Sequence, residues 1–293
     1  MTTSFEPGKV VLSKMLERIG DGSVQLPDFQ RGWVWSDDHI RSLLASISMS
    51  YPIGAVMMLG SGNTDVRFKL RPLEGAEPPS GAKVEDLLLD GQQRLTSLFQ
   101  AIASRKVVKT RDAHNNEIER WYYVDIAKAL NPNLDREEAF ISLPIDRKIL
   151  NFRREVTQDY STPELERAAG LFPLSLMFDN MGMMQWAMAF LPLNPENNTI
   201  WQQFSDTIIK AFAQYQIPVI TLGWQTPKEA VCQVFEKVNT GGVSLTVFEL
   251  LTATYAADDY QLRDVWFGNK NSDGIAQRLK KHRVLNSVEN TDF

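Results

Sequence analysis

The chain has 293 residues, 43% of them apolar and 23% charged, with a formal charge of −5. That balance describes an ordinary globular protein, long enough for one large domain or two smaller ones, and it excludes a surface that coats DNA by general positive charge. A local basic groove stays open, because net charge carries no information about how charge is distributed. The single cysteine, Cys232, excludes an internal disulfide framework. It falls on the apolar face of a predicted helix, where packing is its expected role. No apolar run reaches membrane-spanning length and Met1–Lys9 has no signal-peptide core, so the expected location is the cytoplasm, with no membrane partner.

In chain order, Val11, Met15 and Ile19 predict a helix over Val10–Ile19 that stops at Gly20–Gly22. Val24–Pro27 is a short extended piece. Ser36 is placed as the N-cap of a helix with Ile40, Leu43, Leu44 and Ile47 on its core face. Pro52-Ile53-Gly54 turns into a strand over Ala55–Leu59, and a second strand is expected near Val66–Leu70. Glu74–Lys83, rich in Gly, Pro and Ala, reads as an exposed loop. Arg111–Glu119 reads as a hairpin tip before a strand over Trp121–Ile126. Phe140–Leu193 mixes short apolar runs, basic clusters and prolines without a clear period. Ile200, Phe204, Ile208 and Phe212 mark one face of a helix over Pro195–Tyr215; Ile217–Leu222 reads as a strand. Lys228–Val238, with Val231, Val234, Phe235 and Val238, and a segment begun by Thr246 and Glu249 read as helices, as do Tyr260–Phe267 and Ile275–Val288. The expected class is α+β, with a mixed core over residues 1–130 and a mainly helical extension over 131–293 packed on it.

Three motifs carry chemistry. In LLLDGQQRLTSLFQAI, from Leu87 to Ile102, three leucines end a buried strand, Asp90-Gly91 forms a tight turn, and Leu95, Leu98, Phe99 and Ile102 share one helix face. Gln92, Gln93 and Arg94 then sit at the helix start, where unpaired N–H groups and the helix dipole favour an anion and an arginine fork can grip phosphate. Asp90 can hold a metal ion or cap the helix; the alternative is a structural turn with solvated side chains. The second motif is Phe29-Gln30-Arg31-Gly32-Trp33-Val34-Trp35. One tryptophan is expected to plug the core, while Gln30 and Arg31 have no evident packing duty and can face the first motif across a cleft. The third is the loop Asn239-Thr240-Gly241-Gly242, whose N–H groups can form an anion nest. Other chemistry finds no support. GxxxxGK[ST] is absent, and His39, His114 and His282 are scattered without metal-ligand spacing.

Taken together, the Gln-Arg…Trp run at Gln30–Trp35, Pro-Ile-Gly at Pro52–Gly54, Asp-Gly-Gln-Gln-Arg at Asp90–Arg94 and Phe-x-x-x-Asn-x-Gly-Gly from Phe235 resemble the DGQQR-motif N-terminal domain of GmrSD-type and SspE-type modification-dependent restriction proteins. The resemblance spans about residues 10–255 and implies a ParB/sulfiredoxin-like core in which a Gly-x-x-Arg turn, here Gly91–Arg94, binds nucleotide phosphates. It implies an NTP as ligand, with Mg²⁺ expected alongside, and hydrolysis within a bacterial anti-phage system acting on modified DNA. Cutting is expected of an HNH-type nuclease domain, in the same full-length protein or in a partner. In the SspE-type branch an aromatic-Gln pair and the motif arginine sense phosphorothioate DNA; here these are Phe29, Gln30 and Arg94, with Trp33 beside them. Phe29 and Gly32-Trp33 stand where the family more often has tyrosine and Pro-Tyr, so the ligand preference is expected to differ.

The site expected from the sequence therefore has Asp90, Gln92, Gln93 and Arg94 as catalytic groups, and Gln30, Arg31, Gly91, Arg94, Asn239, Gly241 and Gly242 around nucleotide phosphate. A non-catalytic sensor of modified DNA is the alternative. A ParB-like nuclease ranks below it for want of a carboxylate–lysine constellation.

Overall fold

The computed structural model describes residues 5–28, 30, 32–62, 68–227, 230, 231, 234, 251, 252, 255, 260–269 and 272–281. The fold is mixed α and β, built on two main sheets. The first half supplies β1 (Phe5–Val11), α1 (Leu12–Gly20), β2 (Val24–Pro27), α2 (Asp37–Ser48), β3 (Val56–Gly60), β4 (Leu70–Arg71), β5 (Asp86–Asp90) and α3 (Gln92–Leu98). Next come β6 (Val108–Arg111), β7 (Glu117–Asp125), α4 (Ile126–Leu130), β8 (Phe140–Leu143), β9 (Lys148–Leu150), β10 (Val156–Asp159), α5 (Pro163–Ala168) and β11 (Leu171–Pro173). Helices α6 (Asn180–Phe190), α7 (Asn197–Phe204) and α8 (Lys210–Gln214) precede β12 (Gln216–Leu222). Short helices at Leu262–Phe267 and Ile275–Lys281 follow.

The first sheet has the order β1-β12-β3-β5-β2-β4, so it draws strands from both sides of residue 130. Its central pair is β3 with β5, antiparallel, with Met57 opposite Asp90. Both faces of β5 are buried: Leu88 joins the main core with Val56, Met58 and Val219, while Leu87 and Leu89 pack with Leu59, Phe68, Leu222 and Val231 on the other side. Three consecutive leucines suit a strand covered on both faces. The second sheet runs β11-β7-β6, and β8 also pairs with the nine-residue β7.

Several expectations are corrected. β1 is not foreseen because its side chains are nearly all exposed and show no apolar alternation; only its pairing with β12 makes it a strand. The part after residue 131 is richer in strands than expected: Phe140–Pro173 contributes β8 to β11, and β12 returns to the first sheet. Short strands broken by turns at Arg147 and Arg154 present no period long enough to read. The long helix over Pro195–Tyr215 is α7 and α8 joined by a π turn at Ser205–Ile209, with Phe204, Ile208 and Phe212 buried as its stripe demanded. Leu73 and Ala76 turn inward, so the loop from Glu74 is not wholly exposed. Ser36 occupies the N-cap position of α2, but its hydroxyl meets His39 Nδ1 at 2.7 Å instead of a backbone N–H. Residues 63–67, Cys232 and the Thr246–Glu249 helix start lie outside the described residues.

One carboxylate joins the two sheets' layers. Asp37, at the start of α2, accepts hydrogen bonds from Tyr122 on β7 at 2.8 Å and Ser142 on β8 at 2.7 Å. Burial, and then the Asp37 charge, pushes the Tyr122 phenol well above its usual range, so it remains a donor. Asp37→Ala removes both bonds and leaves Tyr122 unpaired. It should lower the unfolding free energy by about 2–3 kcal/mol, read as a reduced urea midpoint at unchanged slope.

Candidate functional site

The site forms where β5 passes into α3. Gly91 sits at φ +96°, in the left-handed region, and starts the helix without a side-chain cap. Asp90 therefore does not cap α3; its Oδ2 accepts a hydrogen bond from Arg94 Nη2 at 3.0 Å. The other arm of that fork, Arg94 Nη1, donates to the carbonyl of Ile53 at 2.7 Å. Arg94 is only 18% exposed and bridges the lead-in to β3 and the end of β5.

Gly54 is explained by the same arginine. Its φ of +89° disfavours any L side chain, and a Cβ there would collide with Arg94 Nη1. The guanidinium thus rests on the backbone of Gly54. Tyr215 closes the neighbourhood: its hydroxyl donates to the carbonyl of Tyr51 at 2.7 Å. Burial pushes that phenol up, opposed by the Ile53 backbone and by the Arg94 charge. The sequence does not single out Tyr215, which precedes β12 in a segment without any polar motif.

The second motif lies directly against the first. Gln30 is buried, and its Nε2 donates to the carbonyls of Leu88 at 2.8 Å and Leu89 at 3.2 Å. The expectation that Gln30 has no packing duty is corrected: its amide fastens the loop to β5. Gln93 uses both ends of its amide on the same loop, accepting from Val34 N at 2.9 Å and donating to Gly32 O at 3.2 Å. Trp33 donates its indole N–H to Ser97 Oγ at 2.9 Å, and Ser97 donates in turn to Gln93 O at 2.7 Å. Glu74 Oε1 accepts from Trp33 N and from Arg71 Nη1, a contact that the Gly/Pro-rich context of Glu74 gives no reason to expect. Trp33 and Trp35 are both partly buried against the core, where one is expected from the sequence. Gln92 is buried. Phe29, Arg31, Asn239, Gly241 and Gly242 lie outside the described residues.

Beyond Trp33 and Trp35 opens a cleft of about 630 Å³, lined also by Lys109, Arg111, Arg120 and Ile145. Glu117 and Glu119 line it too, but at 3.9 Å from Arg111 and 3.8 Å from Lys109. Thr110 Oγ1 donates to the carbonyl of Trp35 at 2.7 Å and fixes the cleft to the loop.

The model of the family described as GmrSD restriction endonuclease, N-terminal domain, matches residues 12–256. The chain belongs to this family. It is also 27% identical over 288 residues to an uncharacterized protein, MJ0686, of Methanocaldococcus jannaschii, covering 96% of this chain and 46% of that relative. The chain therefore spans less than half the length of that relative. The resemblance read from the DGQQR and Gln-Arg motifs is thereby established at the level of a GmrSD N-terminal domain. Among the described residues no helix is long and apolar enough to cross a membrane, and no group of three or more His, Cys, Asp or Glu converges as a metal cluster.

For this GmrSD N-terminal domain, Gly54→Ala should force Arg94 off Ile53 and Asp90 and add the strain of a left-handed alanine. The expected cost is about 1–3 kcal/mol of stability, measured by thermal unfolding. Gly62→Ala, also at positive φ but with open space around its Cβ, should cost less.

Proposed function

We propose that this GmrSD N-terminal domain is the nucleotide-binding, NTP-hydrolysing sensor module of an anti-phage restriction system that acts on modified DNA. The observation that carries the reading is the fixed Arg94 fork. One hydrogen of each terminal nitrogen is committed, to Ile53 O and Asp90 Oδ2, which orients the plane of the guanidinium and leaves further N–H groups for phosphate oxygens. A pre-oriented cation at a strand-to-helix turn stabilises the charge of a transferring phosphoryl group without reorganising when the charge develops.

Asp90 fits the part of a Mg²⁺ ligand. Its Oδ2 is engaged by Arg94 and its Oδ1 remains for the metal, whose other ligands would be water and nucleotide phosphates. Mg²⁺ would neutralise phosphate charge there. Gly91, whose left-handed φ starts the helix, is proposed to offer its backbone N–H to phosphate, and Gln92 to position nucleotide or water. Gln93, with its amide spent on Gly32 and Val34, acts by holding the wall of the site. The reading places the module in the cytoplasm and assigns DNA cutting to an HNH-type nuclease domain in the same full-length protein or in a partner. A ParB/sulfiredoxin-like ancestry of the first sheet belongs to the same proposal.

The cleft beside Trp33 and Trp35 favours a second reading, a non-catalytic sensor that reads a mark on DNA through aromatic and basic side chains. Turnover separates the two. The purified protein should release phosphate from an NTP in the presence of Mg²⁺, and Arg94→Ala should lower that rate by at least about a hundredfold, the scale of losing one transition-state donor. Arg94→Lys should fail to restore it, because a point charge cannot replace the fork. Equal activity in Arg94→Ala removes Arg94 from catalysis; binding of modified DNA without any turnover favours the sensor.

A further inference from the structure

The hairpin of β9 and β10 carries a feature that the nucleotide site does not use. At its tip, Asn151-Phe152-Arg153-Arg154-Glu155, Phe152 is 90% exposed. Ile149, Leu150 and Val156 on the same hairpin are also exposed. Four exposed apolar side chains on one short hairpin, Phe152 foremost, are the kind of surface that marks an interaction site.

The tip is rigid. Asn151 N donates to Glu155 O at 3.0 Å and Arg154 N to Asn151 O at 2.9 Å. Asn151 Oδ1 accepts from the backbone N–H groups of Arg153 and Glu155, and its Nδ2 donates to Glu155 Oε2 at 2.9 Å. Arg154 is kept at φ +62°, a conformation unfavourable for arginine that these bonds impose. The base is rigid as well. Arg147 pairs with the buried Glu166 at 2.7 Å and lies over the Trp121 ring at 5.2 Å, so the hairpin springs from an anchored arginine.

Charge identifies the partner. Glu155, the tip's own acid, is engaged by Asn151, while Arg153 and Arg154 pair with no carboxylate among the described residues. Arg153 instead lies 5.3 Å from the Phe152 ring centre. A solvent-exposed aromatic beside two arginines that have no carboxylate partner among the described residues, on a protein of net charge −5, matches a ligand that offers stacked rings and phosphates together. The chain leaves the rim of the Trp33–Trp35 cleft at Pro144 and Ile145, two residues before Arg147.

We propose that the β9–β10 hairpin is a DNA-probing wedge: Phe152 inserts between base pairs of duplex DNA while Arg153 and Arg154 grip the flanking phosphates. The proposal rests on the reading of the domain as DNA-directed, and is independent of whether Arg94 supports NTP turnover. Inserting an apolar side chain unstacks a base step, a cost that the arginine–phosphate contacts offset, so steps that unstack easily are favoured.

The test uses the purified chain and a short duplex carrying 2-aminopurine, titrated at several salt concentrations by anisotropy and by 2-aminopurine fluorescence. The unmodified protein should bind and raise the fluorescence. Phe152→Ala, which removes a side chain with no role in the core, should abolish the rise and weaken binding about tenfold while NTPase activity is unchanged. Arg153→Gln with Arg154→Gln should reduce the slope of log affinity against log salt by about two, one for each phosphate that is no longer neutralised. Arg94→Ala should keep the fluorescence rise, which separates failure of the nucleotide reading from failure of this one. Wild-type affinity and fluorescence in Phe152→Ala would overturn the wedge. So would a Phe152-dependent self-association in sedimentation with DNA binding unaltered, which would make the tip a contact between copies.

Discussion

The constraint on which the rest depends is the bridge that Arg94 makes between the Ile53 carbonyl and the Asp90 carboxylate. β3 and β5 pair antiparallel, so the chain entering β3 and the chain leaving β5 meet at the same end of the sheet. Both pass through glycines at positive φ, Gly54 and Gly91, which gives the guanidinium room to lie against backbone. A side chain at Gly54 would displace the arginine, and one at Gly91 would press on the Val56 side chain of β3. The Pro-Ile-Gly and Asp-Gly-Gln-Gln-Arg motifs, far apart in sequence, are thus two halves of one contact.

A second layer of polar contacts holds the Gln-Arg-Gly-Trp loop to that centre. Gln30 reaches the carbonyls of β5, Gln93 grips the backbone at Gly32 and Val34, and Trp33 meets Ser97 one helical turn beyond Gln93. Glutamine suits such a role because its amide donates and accepts at once, matching an irregular backbone whose own N–H and C=O groups lack strand partners. Two of the motif glutamines therefore act as fasteners, and Arg94 ties the entry of β3 to the end of β5.

Much of this was legible in the sequence because it depends on local rules. The leucine triplet before Asp90, the glycine turn and the i, i+3, i+4, i+7 stripe through Ile102 specify strand, turn and helix, although the α-helix ends at Leu98 and Phe99–Ala103 continues it as a π turn that the stripe does not foretell. Motif order leads one to expect the loop of Gln30 and Arg31 to face the Asp90–Arg94 turn across a cleft; the loop instead lies directly against β5 and α3, and the duty of Gln30 is not foreseen, since a side chain's partner across 58 positions leaves no local trace. Glu74, Tyr215 and the hairpin at Asn151 escaped for the same reason. Each takes its meaning from tertiary placement: Glu74 from Trp33, Tyr215 from Tyr51 and Arg94, Phe152 from its near-complete exposure.

The short segment Trp33-Val34-Trp35 gives the domain its internal logic. At one end Val34 N is held by Gln93 of α3; at the other the Trp35 carbonyl is held by Thr110 of β6, and Ser36 forms an isolated bridge with Arg111. Helix α3 and the cleft beside Trp33 and Trp35 are therefore joined through three residues with little slack. On the proposed function, a nucleotide that shifts the first turn of α3 would carry Gln93 and so Val34 with it, changing the cleft wall formed by the two tryptophans. By linkage, a ligand seated against those tryptophans biases α3 in return and by the same free energy. On the proposed function, this is how occupancy by DNA and occupancy by nucleotide become thermodynamically coupled in a domain where the two sites share no side chain other than the loop between them.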